Sequence, residues 1–154
     1  MSGDTESLKF KIVLSGTGSP YPCNFTISID DKVYINETTS ATSTAYEFVA
    51  SLTEGKHSLN IELLDKSGKH VTKDNDGKLD QDFQLNIESV SIDDIDLAML
   101  IWTLSKYYPR YPDNYEDLEQ KTKAVVTNCV TLGWNGVWSL EFDSPFYLWL
   151  LENI

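Results

Sequence analysis

The sequence predicts an all-β protein: an antiparallel β-sandwich of jelly-roll type, with an aromatic-rich C-terminal hairpin and a short terminal helix. Three observations carry this. From Leu8 to Ile95 apolar and polar residues alternate in short runs, the period of half-buried strands. Gly, Pro, Asn and Asp separate the runs, each a residue that turns a chain for its own steric reason. No part of that span repeats its apolar residues at helical spacing, so strands packed face to face remain as the way to bury them.

Taken in order, residues 1–7 are small and polar and read as a flexible arm. Leu8, Phe10, Ile12 and Leu14 make the first strand, which Gly16, Gly18, Pro20 and Pro22 end. Phe25, Ile27 and Ile29 make the second. The short turn Asp30-Asp31 returns the chain as an antiparallel partner from Lys32. Residues 38–44, rich in Thr and Ser, are a loop or weak edge strand. Tyr46, Phe48, Ala50 and Leu52 alternate again, Glu54-Gly55 turns, and Leu59, Ile61 and Leu63 follow on the parity of His57. After an acidic loop over residues 65–80, tipped by Asp76-Gly77, alternation resumes at Phe83, Leu85 and Ile87, and the two runs read as one hairpin. Val90 and Ile92 then fall on the opposite parity. A strand changes faces only by inserting a residue, so a bulge is expected near Glu88-Ser89.

Composition shifts towards Trp and Tyr after Leu97, which divides the chain into a sandwich domain over 8–97 and an extension over 98–154 that packs on the sandwich or a partner. Leu100, Trp102 and Leu104 suit a strand. Tyr107 to Pro112 reads as an extended aromatic loop, since a residue before proline avoids helix. Residues 113–123 suit a short helix with Asp113 as its cap. Residues 124–142 read as a hairpin about Asn135-Gly136. A three-residue loop with Gly136 left-handed would pair Leu132 with Trp138 and Val130 with Leu140, gathering the apolar residues on one face. Pro145 starts a terminal helix whose Phe146, Tyr147, Trp149, Leu150 and Ile154 are apolar on nearly every side and form a candidate assembly tail.

With 24 acidic and 12 basic residues the net charge is −12, a field that repels nucleic acid and anionic lipid. No run is long enough for a membrane helix, and residues 1–7 lack the basic and apolar segments of a secretory signal. Cys23 and Cys129 are read as free, mostly buried thiols.

Candidate chemistry is limited to two places. Asp65, Asp74, Asp76, Asp80 and Asp82 are hard oxygen donors of the kind calcium uses, although Thr72 and Phe83 break any EF-hand pattern, and Asp-Gly is also a routine turn. Tyr107, Tyr108, Tyr111, Tyr115 and Trp134 offer flat rings that stack on a sugar or fill a protein contact, with Asp113 and Asn114 able to bond hydroxyls. No nucleophile elbow, zinc-binding helix or phosphate loop occurs, so no enzyme is expected.

Two resemblances add to this. His57, Leu59 and Ile61, then Asp82, Leu85, Ile87, Glu88 and Val90, resemble the second half of calcium-dependent, xylan-binding-type carbohydrate-binding modules. That resemblance implies the sandwich, and places Asp82 at a calcium and ligand edge; the family's Gly-Gly loop is replaced by Lys66-Ser67-Gly68-Lys69. Over residues 56–154, Trp102-Thr103, the Tyr-Pro loop and the closing Trp134-to-Asn153 signature resemble small virion-associated proteins of marine tailed phages, notably cyanophages. This implies a non-enzymatic structural or decoration protein of capsid, neck or tail. Such a protein would be made in the host cytoplasm, reside in the virion, and dock on other virion proteins in a multimeric assembly through its C-terminal segment. The alternative is a glycan-binding module for host-surface attachment, without obligate cofactor but with calcium as the cation it would take. Neither reading involves nucleic acid or membrane.

Overall fold

A computed structural model describes residues 5–67, 71–73, 75–76, 79–110 and 125–154, of which 71–73 and 79–81 in backbone only. The chain forms β1 (Thr5–Thr17), β2 (Asn24–Ile29), β3 (Lys32–Thr38), β4 (Thr44–Thr53), β5 (Gly55–Leu63), β6 (Val71–Lys73), β7 (Leu79–Asp82), β8 (Gln84–Ile92) and β9 (Ile95–Asp96). A short helix α1 (Leu100–Thr103) follows, then β10 (Lys106–Pro109), β11 (Val126–Thr127), β12 (Thr131–Leu132), β13 (Gly136–Ser144) and the helix α2 (Phe146–Asn153). One sheet runs β12-β8-β1-β4 with β9 beside β8. The other runs β11-β10-β13-β5-β2-β3, while β6 and β7 pair with each other. Every pairing is antiparallel.

Alternation explains what lies between the sheets. Phe10, Ile12, Leu85, Val90 and Ile92 from one sheet meet Phe25, Ile27, Leu59, Ile61, Trp138 and Leu140 from the other, all buried. Each such side chain contributes about 1.5–3 kcal/mol through the water it leaves. Phe10 stacks on Phe48 within its sheet at 5.1 Å and crosses the core to Phe142 at 5.9 Å between ring centroids. The change of parity is resolved where expected: β1 pairs Val13 with Ser89 but Leu14 with Ile87, so Glu88 is the extra residue of a bulge.

Five expectations are corrected. The runs on either side of the acidic loop are not a hairpin: β5 lies between β13 and β2, whereas β8 lies in the opposite sheet between β12 and β1. Nor do residues 124–142 form one, because β12 pairs with β8 and β13 pairs with β10 and β5. Leu132 and Trp138 do face one core, but across it rather than side by side. Leu100, Trp102 and Leu104 do not form a strand; α1 forms there, and the buried residue is Ile101. Tyr107 and Tyr108 belong to a strand, β10, rather than a loop. Residues 5–7 of the expected arm are already strand, Thr5 pairing with Thr53. Residues 1–4 and the expected helix over 113–123 lie outside the described residues.

Residues 98–154 complete both sheets. Gly136 opens β13 at φ 150, with Tyr108 O only 2.4 Å from where a Cβ would stand, so the close approach of β10 admits glycine alone. At the far end of β13, α2 is seated by Phe146 and Trp149, both buried, with Trp149 edge-on to Phe142 at 6.3 Å. Its first N–H, on Phe146, donates to Glu6 Oε2 at 2.9 Å. That carboxylate suits the positive end of a helix.

Candidate functional site

Beyond the end of β5 the chain places a lysine where a polar loop was expected. Lys66 lies between Asp65 and Ser67, yet its side chain is 1% exposed. Its Nζ donates to the carboxylate of Asp82. It also donates to the carbonyls of Phe83 at 2.8 Å and Gly133 at 2.6 Å. The face of Trp134 lies 4.9 Å from the same nitrogen. The backbone of Lys66 is fixed by Asn135, whose Oδ1 accepts from Lys66 N at 2.7 Å and whose Nδ2 donates to Lys66 O at 2.9 Å. Trp134 is held in turn by Tyr107, whose hydroxyl donates to Trp134 O and accepts from Trp134 N at 3.1 Å.

This arrangement determines what the acidic residues can do. Asp65 uses both oxygens on Asn24, accepting from its N at 2.7 Å and its Nδ2 at 2.9 Å. Asp82 faces Lys66. Asp76 is exposed in a turn. Asp74, and the side chain of Asp80, lie outside the described residues. Among the described residues no three His, Cys, Asp or Glu side chains converge as a metal set. Calcium needs six to eight oxygens around it. Asp65 and Asp82, turned to separate nitrogen donors, do not fit such a shell.

The predicted aromatic residues separate as well. Tyr107 is in the core and serves Trp134. Tyr108, next along β10, points out and is 41% exposed. Tyr111 and Tyr115, with Asp113 and Asn114, lie outside the described residues. Of the tail, Phe146 and Trp149 are buried and Leu150 is half-buried, while Tyr147 and Ile154 are exposed.

Tyr108 stands in an open groove of about 340 Å³ on the outer face of β10 and β13, closed at one end by α2. The register makes it: Lys106 sits opposite Ser139, Tyr108 opposite Val137, and Asp143 opposite Lys56 of β5. Glu141 lies between, and Glu152 and Asn153 reach in from the last turn of α2. Among the described residues no ion pair joins Lys56 or Lys106 to Glu141, Asp143 or Glu152. A ring, two ammonium groups, three carboxylates and an amide therefore share one concave surface, with Asn153 Nδ2 also donating to Trp149 O at 2.7 Å and Asp143 also acting on His57. Sequence reading singled out Tyr108 but missed the polar residues around it. Their signal was parity: Lys106 and Tyr108 flank buried Tyr107, and Ser139, Glu141 and Asp143 interleave with buried Leu140 and Phe142.

No protein-family model matches the chain, and neither does any curated protein. Solved structures do. The selenomethionine form of vCBM60, described with circular permutation as an evolutionary link between two families of calcium-dependent carbohydrate-binding modules, aligns with TM-score 0.55 at 9% identity, over 86% of this chain and 89% of that one. vCBM60 in complex with galactobiose aligns with TM-score 0.50 at 11% identity, over 86% of this chain and 96% of that one. At such identity the likeness shows the fold: this chain has the β-sandwich of those modules.

Proposed function

We propose that this protein is a non-catalytic glycan-binding module whose binding surface is the groove on β10 and β13. The observation that carries the reading is the exposed ring of Tyr108 among lysine and carboxylate groups that, among the described residues, form no ion pair with one another. An aromatic face takes the C–H face of a sugar ring, carboxylates accept from its hydroxyls, and ammonium and amide groups donate to them. The fold shared with vCBM60, one of whose structures holds galactobiose, supports the same class of ligand. With three carboxylates in the groove and a net charge of −12, the ligand is a neutral saccharide rather than a polyuronate.

Calorimetry in EDTA with neutral and uronate oligosaccharides tests this. The neutral ligand is expected to bind, and Tyr108→Ala to weaken it about tenfold, or about 1.4 kcal/mol, without lowering the melting temperature. Binding that survives the substitution would sink the site, and release of reducing sugar would make the protein an enzyme.

A second reading, a virion protein that docks through its C-terminal segment, is favoured by Leu148, Leu151 and Ile154, which are 59%, 68% and 80% exposed. Co-sedimentation with phage particles that is lost on Leu148→Ser/Leu151→Ser, with sugar binding intact or absent, would favour that reading.

A further inference from the structure

We propose that the ammonium of Lys66 is the resident cation of an oxygen cradle, and that it makes this end of the sandwich independent of a metal ion. Three acceptor-only oxygens converge on one point: Oδ1 of Asp82 and the carbonyls of Phe83 and Gly133. They come from two parts of the fold, the Asp82-Phe83 step between β7 and β8, and Gly133 following β12. Lys66 reaches them from the opposite sheet, beyond β5. Oxygens gathered in this way repel one another, and none can donate a proton, so the point where they meet requires a positive charge.

An ammonium has three protons, and here there are three oxygen acceptors. The match leaves no donor unused. The face of Trp134 covers a further side of the nitrogen and excludes water. While Lys66 fills the cradle, a free calcium or alkali ion has no room for the waters that would complete its shell around these three oxygens, and would have to displace a cation tethered to the same chain. Once the side chain is truncated, water can supply the missing ligands. The charge that an aspartate-and-carbonyl cradle takes from solution is supplied instead by residue 66. The sandwich is shared with modules described as calcium-dependent, whereas the Asp82 cradle is already neutralised from within.

Thermal unfolding of the full chain tests the proposal, with EDTA, calcium or ethylammonium present. Wild type is expected to melt at one temperature in all three. Lys66→Ala, which empties the cradle but leaves its oxygens, should melt about 10 °C lower in EDTA and regain most of that loss, saturably, with ethylammonium or calcium. Lys66→Met, which refills the space without charge, should fall and not recover. Should Lys66→Ala be unfolded in EDTA, recovery of a cooperative melt on adding either cation is the same result. The proposal is overturned if calcium stabilises wild type saturably and Asp82→Asn abolishes that gain. It is equally overturned if neither cation restores Lys66→Ala.

Discussion

The two ends of β5 are fastened by different means. Beyond its C-terminal end one buried lysine joins a carboxylate and two carbonyls from two other segments of chain. Near its N-terminal end the work is divided between two smaller, more exposed ties. Glu6 accepts from Ser144 Oγ and from Phe146 N, seating α2 on the edge of β1. His57 lies between Asp30, 2.8 Å from Nδ1, and the carbonyl of Thr53, 2.6 Å from Nε2. A single buried charge is costly to lose and insensitive to its surroundings. Divided, half-exposed ties cost less individually and respond to solvent.

The largest expected effect falls on the lysine end. Lys66→Met should cost about 3–5 kcal/mol, because it leaves Asp82 and two carbonyls facing an apolar chain. Asp82→Asn should cost less, since the carboxylate is 33% exposed and water takes part of its role. The two changes together should cost less than their sum, because removing both charges orphans neither. Urea denaturation of the four proteins measures the coupling. Strict additivity would mean that the two groups do not act as a pair, and the contrast between the ends would collapse.

Much of this was legible beforehand, and the residues show where legibility stopped. Parity told which side chains enter the core, and it located the bulge at Glu88 from the offset between Ile87 and Val90. Parity is silent on which sheet a strand joins. Leu132 and Trp138 face the same core whether they are neighbours in a hairpin or opposed across a sandwich, and the wrong alternative collected as many apolar residues as the right one. The groove has the same origin. Its rows are written in Lys106, Tyr108, Glu141 and Asp143, but only the pairing of β10 with β13 sets them side by side. Lys66 had no local signal at all, since a lysine between an aspartate and a serine describes any solvated loop. Its burial depends on Asp82, Phe83 and Gly133, which are remote in sequence.

Glu6 gives the middle effect. Glu6→Ala removes a charge from the start of α2 and leaves Phe146 N and Ser144 Oγ without their acceptor, at a cost of about 1–2 kcal/mol. Trp149 reports it directly, since its ring rests on Phe142 and Phe146 at 6.3 and 5.9 Å. Its fluorescence should redden in Glu6→Ala before the global unfolding transition, as α2 lifts. In Lys66→Met any such change should coincide with global unfolding. Coincident transitions in both variants would mean that α2 is no separate unit.

The smallest effect depends on pH and separates the two ends most cleanly. Both oxygens facing His57 only accept, so both ring nitrogens must donate, and the doubly protonated imidazolium is the form that fits. Burial alone would lower its pKa. The hydrogen bonds to Asp30 and Thr53 and the negative charges of Asp30 and Asp143 outweigh that and hold it above the ordinary histidine value. Raising the folded-state pKa above the unfolded one adds stability that is fully present below about pH 6.5 and disappears as pH rises through the folded value. Above that value the ring has one N–H for two acceptors, a loss of about 1 kcal/mol. The difference in urea midpoint between wild type and His57→Gln should therefore be widest in mild acid and shrink towards pH 8, while the difference between wild type and Lys66→Met should stay level over the same range. A histidine difference that grew with pH would mean that the neutral ring is the native form, and the end described here as responsive would be as insensitive as the other.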